Sequence, residues 1–163
     1  MSVAGDIVAT WQAPRAVFRS RVGEQGAHPR EDRALAVLIL ACGLVFVGHW
    51  PRLVRQSQLA GEDLNPLLGG ALFAWMFLMP LVLYAIGTLS HLIAKAFGGR
   101  GSAYRARFAL FWALLAATPA WLLTGLVAGF MGPGVAQQAV GAVALGAFLV
   151  FWALGFHEAE WGA

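Results

Sequence analysis

LLGGALFAWMFLMPLVLYAIGTLSHLI, residues 67–93, and FALFWALLAATPAWLLTGLVAGF, residues 108–130, decide the fold. The first run has 27 residues and the second 23. As helices, both exceed the roughly 20 residues needed to cross a bilayer's hydrocarbon core. No acidic or basic side chain interrupts either until His91, near the end of the first. A short basic loop containing GGRGSAYRAR, residues 98–107, joins them. The pair reads as two consecutive transmembrane helices.

The rest of the chain supports that reading. Of 163 residues, 60% are hydrophobic and 12% charged, where a soluble domain carries about 25% charged residues. The deficit lies in long blocks, as in a polytopic membrane protein. Residues 34–50 form a shorter first span, and residues 135–156, rich in Gly, Ala and Val, form a fourth. The expected architecture is therefore all-α: a polytopic membrane protein with four transmembrane helices (34–50, 67–93, 108–130 and 135–156) in one domain, 34–156. Residues 1–33 precede it as an amphipathic interfacial segment with a linker, and residues 157–163 follow as a short tail. Residues 51–65 read as a polar connector with room for a short interfacial helix, and Met-Gly-Pro-Gly at 131–134 as a tight turn. Cys42 is the single cysteine, so no intramolecular disulfide forms. The net charge of +3 is no nucleic-acid signal, and no nucleic-acid partner is expected.

In the N-terminal segment, Ile7, Trp11, Phe18 and Val22 recur at helical spacing with Arg15, Arg19 and Arg21 around them. Pro14 breaks the segment or begins its second helix. Two readings stand side by side. One places Trp11 and Phe18 at the acyl boundary and the arginines against anionic headgroups. The other packs a short helix on the protein's own face. No apolar run of signal-peptide length precedes the first span, so a cleaved leader is not expected.

Charge sets the expected threading. The segment through Arg33 holds five arginines, and the loop at 95–107 holds Lys95, Arg100, Arg105 and Arg107; the connector 51–65 holds Arg52 and Arg55, and the turn at 131–134 none. Nine against two predicts both termini and the second loop in the cytoplasm. The bilayer is thus the first partner, and Arg15, Arg19, Arg21, Lys95, Arg100, Arg105 and Arg107 are candidate headgroup contacts. Lipid is the expected ligand, and no cofactor or metal is expected.

Few constellations carry chemistry. His91 and His157 end the second and fourth spans on the same side, where two imidazoles could hold a haem or a pigment, with Gly87 leaving room for a flat ring. The plainer reading is histidine tolerated at helix ends. Pro80 and Pro119 each remove a backbone donor near mid-span, so kinks at similar depth are expected. Those kinks either open a small cleft for a lipid or a partner helix, or serve packing alone. Gly125-xxx-Gly129 is a GxxxG, and Ala142-xxx-Gly146 a looser relative. The short turn makes their helices neighbours, so an internal contact between them is expected, with self-association or docking to another membrane protein as the alternative. Thr88, Ser90, Thr118, Thr124, Gln137 and Gln138 are expected to make interhelical or backbone hydrogen bonds and not to form a pathway. Glu158 and Glu160 read as solvated charges in the tail, and GGRG as a flexible turn. Transport would need ionisable groups buried among the helices, and the four runs contain none apart from the terminal histidines.

The order of features, from WQAPRAVF through LIAKAFGGRGSAYRARF to ALLAATPAWLL, resembles the bacterial branch of the Yip family, the Ypt/Rab-interacting integral membrane proteins. Members typically have five spans against the four here. Eukaryotic members carry Asp-Leu-x-Gly-Pro, which Asp63-Leu64-Asn65-Pro66 matches only in part. The resemblance implies a non-enzymatic protein that organises membranes or membrane proteins. A haem- or pigment-binding accessory subunit and a small transporter are the alternatives.

Overall fold

The computed structural model describes residues 2–23 and 30–162. Every element in them is helical: α1 (Val3–Gln12), α2 (Pro14–Gly23), α3 (Glu31–Ala60), α4 (Leu64–Phe73), a π-helical turn (Ala74–Leu78), α5 (Met79–Ala96), α6 (Ala103–Phe130) and α7 (Val135–Trp161). Four stretches are long and apolar enough to span a membrane: α3, α4 through α5, α6 and α7. The protein is an all-α polytopic membrane protein.

Helix α6 is the axis. From Phe108 to Thr118 every residue is buried, on all sides of the helix. An apolar helix with no polar face belongs inside a bundle, and here α3, α5 and α7 pack around it, with α1 against its first half. The outer helices turn the opposite kind of face outward: Ile39 and Val47 on α3, Leu81 and Leu89 on α5, and Val143 and Val150 on α7 are all exposed. Lipid solvates those faces as well as it would solvate leucine in a core, so nothing drives them inward.

Close approach sets the geometry of the α3–α6 pair. The buried stripe of α3 is Ala34, Leu38, Ala41, Cys42, Val45 and Gly48. A Cβ on Gly125 would fall inside the Gly48 peptide, and one on Gly129 would fall against Pro51. The GxxxG therefore packs against the first span and not against α7. Gly146 has no atom within 4 Å of its would-be Cβ, and Ala142 is exposed. Helices α3 and α6 run parallel, because Arg107 meets Glu31 where both begin and Arg55 meets the carbonyls of Gly129 and Phe130 where α6 ends.

Proline shapes the spans in three ways. Pro51 does not end the first span: α3 continues through it to Ala60, so the connector read at 51–65 is mostly helix. Its 30 residues reach about 45 Å, and α3 therefore tilts or projects beyond the hydrocarbon core. Ahead of Pro80 the helix widens into the π turn, with Met79 N–H bonding Ala74 O five residues back; this is how the chain absorbs the donor that proline lacks. Pro119 lies inside a continuous α6. It leaves the carbonyl of Leu115 without its usual partner, and the Thr118 hydroxyl donates to that carbonyl at 2.7 Å. Thr88, Ser90 and Thr124 likewise bond carbonyls one turn back. Pro80 is buried and Pro119 exposed, and neither lines the cavities described below.

The N-terminal segment folds back onto the bundle as a helical hairpin with Pro14 opening its second arm. Trp11 Nε1 donates to Ala116 O at 2.9 Å, and its ring meets Phe151 edge-on at 5.1 Å. Ala116 is the midpoint of α6, nine residues and about 14 Å beyond Arg107. Trp11 thus sits well below the acyl boundary expected for it. Phe18 is buried against Phe108 and Gly155, not in lipid.

Candidate functional site: the charged end of the bundle

One end of the bundle collects most of the charge, because α3 and α6 begin there and α5 and α7 finish there. The chain at α7's end is the first surprise. Helix α7 does not stop at residue 156; it runs to Trp161 and carries Glu158 and Glu160 with it. Both carboxylates are buried, so neither is the solvated tail charge expected. Burying a carboxylate is tolerated only when it is paired and hydrogen-bonded, and partners converge from every neighbour.

The Glu160 side chain is fully enclosed, and its Oε1 lies 2.7 Å from His91 Nδ1. Against a carboxylate, Nδ1 carries the proton and donates. Glu160 O accepts from Arg100 N at 2.9 Å. Glu160 Oε2 has no hydrogen-bond partner. Arg19 donates from Nε to Glu158 Oε1 at 2.7 Å, and Arg105 donates to the Glu158 carbonyl at 3.3 Å. The bond to Glu158 raises the Arg19 guanidinium pKa above its ordinary value. Arg107 pairs with Glu31 and lies over the Tyr84 ring at 5.7 Å. Deeper in the hairpin, Arg21 pairs with buried Asp6 and lies over Trp112, whose Nε1 donates to Thr10 Oγ1 at 3.2 Å.

The GGRG loop is part of this clasp, not a free turn. Gly98, at φ +84°, ends α5 in a Schellman motif: Gly99 N bonds Ala94 O at 2.9 Å and Gly98 N bonds Lys95 O at 3.2 Å. Gly101 passes so close to the Ala159 carbonyl that no side chain fits between them. The loop is thereby fastened to the end of α7, and the whole end is stapled across α2, α5, α6 and α7.

The seven expected headgroup cations divide on this geometry. Arg19, Arg21, Arg105 and Arg107 are engaged inside the chain. Arg15, Lys95 and Arg100 are exposed and without ion pairs among the described residues, and Arg33, which sequence did not single out, joins them. The expected histidine pair does not form: His91 is held by Glu160, while His157 is exposed with its ring 5.8 Å from Trp161. Among the described residues no group of three or more His, Cys, Asp and Glu converges.

Two hollows adjoin this end. One, about 540 Å³, lies between α5 and α7 and is walled by Ile93, Phe97, Leu149, Trp152, Phe156 and Trp161, an almost wholly apolar groove. The other, about 300 Å³, lies between α1, α3 and α6 with Arg21 and Arg33 at its edge. Sequence missed Asp6, Glu158 and Glu160 because their partners are remote along the chain; the one available signal was an acidic HEAE on the same side of the membrane as a basic loop. No family model, curated protein or solved structure matches this chain.

Proposed function

We propose that this is a non-enzymatic integral membrane protein whose charged end holds anionic lipid and, through it, organises neighbouring membrane proteins. One observation carries the reading. Every described carboxylate at this end is paired with a basic side chain of the chain itself, while Arg15, Arg33, Lys95 and Arg100 are left unpaired and exposed. An anionic surface attracts such cations by about 1 kcal/mol each, so four together favour an anionic over a neutral bilayer by about 4 kcal/mol before screening. The apolar groove between the ends of α5 and α7 suits an acyl chain in a way that a soluble anion would not use. The resemblance to the bacterial Yip branch supports the same kind of role and a bacterial inner membrane as its site, and the charge bias supports a cytoplasmic position for this end.

The test is lipid retention. Protein extracted in mild detergent from membranes containing phosphatidylglycerol is examined by native mass spectrometry. The wild type retains phosphatidylglycerol above its bulk share, and a Lys95→Gln/Arg100→Gln/Arg33→Gln variant falls to that share. Equal retention by both sinks the proposal. Threading is checked separately: in an Arg100→Cys variant, an impermeant maleimide reaches the new thiol only from the cytoplasm. Cys42, buried, gives little background.

A further inference from the structure

The opposite end of the bundle holds a cleft with its own chemistry. Two hollows, about 440 and 170 Å³, share Arg52, Ala128 and Gln137 as walls and so adjoin between α3, α6 and α7, the outer and inner parts of one cleft. Its outer part is lined by Arg55, Gln56 and Pro133, and its inner part by His49, Trp121 and Thr124. No acidic residue lines either part.

The polar groups around it are unevenly spent. Arg55 is committed: it donates to the Gly129 and Phe130 carbonyls and so closes the end of α6. Arg52, three residues earlier on α3, has no ion pair among the described residues. Thr124 is spent on Ala120 O, and His49 Nδ1 on Val45 O at 2.8 Å, which leaves His49 Nε2 open. Trp121 Nε1 is buried with no partner. The inner wall reaches Trp121, nine residues or about 14 Å back from Phe130, into the apolar depth of the bundle.

We infer that this cleft is a binding site for an oxyanion, phosphate or carboxylate, held by Arg52 with Gln137 as a neutral donor, on a ligand whose apolar part enters toward Trp121. The cation sets the sign of the ligand, since a guanidinium lacking an acidic neighbour at a membrane edge is answered by an anion. The depth and the indole wall set its amphiphilic character. The site is independent of the lipid surface at the other end.

The experiment reads the Trp121 indole ¹H–¹⁵N resonance of the detergent-solubilised protein, assigned through Trp121→Phe. Three probes are titrated: phosphatidylglycerol, phosphatidylcholine and inorganic phosphate. A saturable shift with phosphatidylglycerol and none with phosphatidylcholine is expected, weakened about tenfold or more in Arg52→Gln and undiminished in Lys95→Gln/Arg100→Gln. A shift with inorganic phosphate alone keeps the site and makes a soluble oxyanion its ligand. Silence with all probes, an equal response to phosphatidylcholine, or an undiminished shift in Arg52→Gln overturns the inference. Arg52 is exposed, so its substitution leaves the fold intact, checked by the melting curve used below.

Discussion

Replacing Gly125 with alanine adds one methyl group, and the structure gives it nowhere to go. The added carbon would fall inside the Gly48 peptide of α3. Both neighbours are helix backbone, so no rotamer change relieves the clash, and α3 must move away from α6. Overpacking a core costs about 1–3 kcal/mol, and a backbone-to-backbone clash belongs at the upper end, about 3 kcal/mol. At 1.4 kcal/mol per tenfold, that is about a hundredfold in the folding equilibrium. For a chain of this size it is about 6–12 °C in melting temperature. The protein carries its own reporter. Cys42 is fully buried on the stripe of α3 that contains Gly48 and faces α6. A thiol-reactive fluorogenic dye, added during heating in detergent, therefore reads the separation of these two helices directly. The control lies across the same contact. A Cβ on Gly48 would meet Leu122 and Trp121 O at 3.4 Å, close to ordinary packing, so Gly48→Ala is expected to change the melting temperature by no more than about 3 °C. Gly146→Ala, with open space around it, is expected to leave the curve unmoved. Gly125→Ala melting within 2 °C of wild type, or Gly48→Ala falling as far, would refute the packing argument.

The same assay checks three further expectations. His91→Ala removes the side-chain partner of a fully enclosed carboxylate and should cost about 3 kcal/mol; His91→Ala/Glu160→Gln, which also removes the stranded charge, should be the less damaged of the two. Thr118→Val keeps the shape but leaves the Leu115 carbonyl beside Pro119 unbonded, a loss of about 1–2 kcal/mol, whereas Thr124→Val, where no proline has freed the carbonyl, should cost less. Trp11→Phe loses the bond to Ala116 O, worth about 1 kcal/mol; because the hairpin then lifts more readily, trypsin should cut faster after Arg15 and Arg21.

The spans were legible because a bilayer imposes a length and an apolarity that any sequence must display. Their ends were not, and the reasons are local. Pro51 and Arg52 look like a terminus, yet a proline can ride inside a helix when its ring has a seat, and Gly129 of another helix provides it. The pattern GxxxG marks a surface for close approach without naming the neighbour. A short turn argues for α7, but α3, parallel to α6, takes the site. Of the two readings of the N-terminal segment, the structure bears out packing on the protein's own face: Trp11 and Phe18 mark an apolar stripe, but whether lipid or protein covers a stripe depends on what stands nearby. Here it is Phe108, Phe151 and Gly155, each more than 80 residues away.

Charge gives the clearest case of information spread along the chain. Along the sequence, nine of the eleven Lys and Arg residues and six of the eight Asp and Glu residues fall in the N-terminal segment, the 95–107 loop and the C-terminal tail, while Arg52, Arg55, Glu62 and Asp63 fall in the 51–65 connector. The formal charge of +3 therefore comes entirely from those segments, and the connector contributes none. In the structure three carboxylates at the end where the chain begins go inward: Asp6, Glu158 and Glu160 are buried and paired, while Glu31 and Asp32 stay exposed. Pairing uses up some cations and not others, and Arg15, Arg33, Lys95 and Arg100 are left without an ion pair among the described residues. A topology rule counts all nine alike. The folded chain separates them into positions that hold helices together and positions that meet whatever lies outside, and only the second group is free to select a lipid.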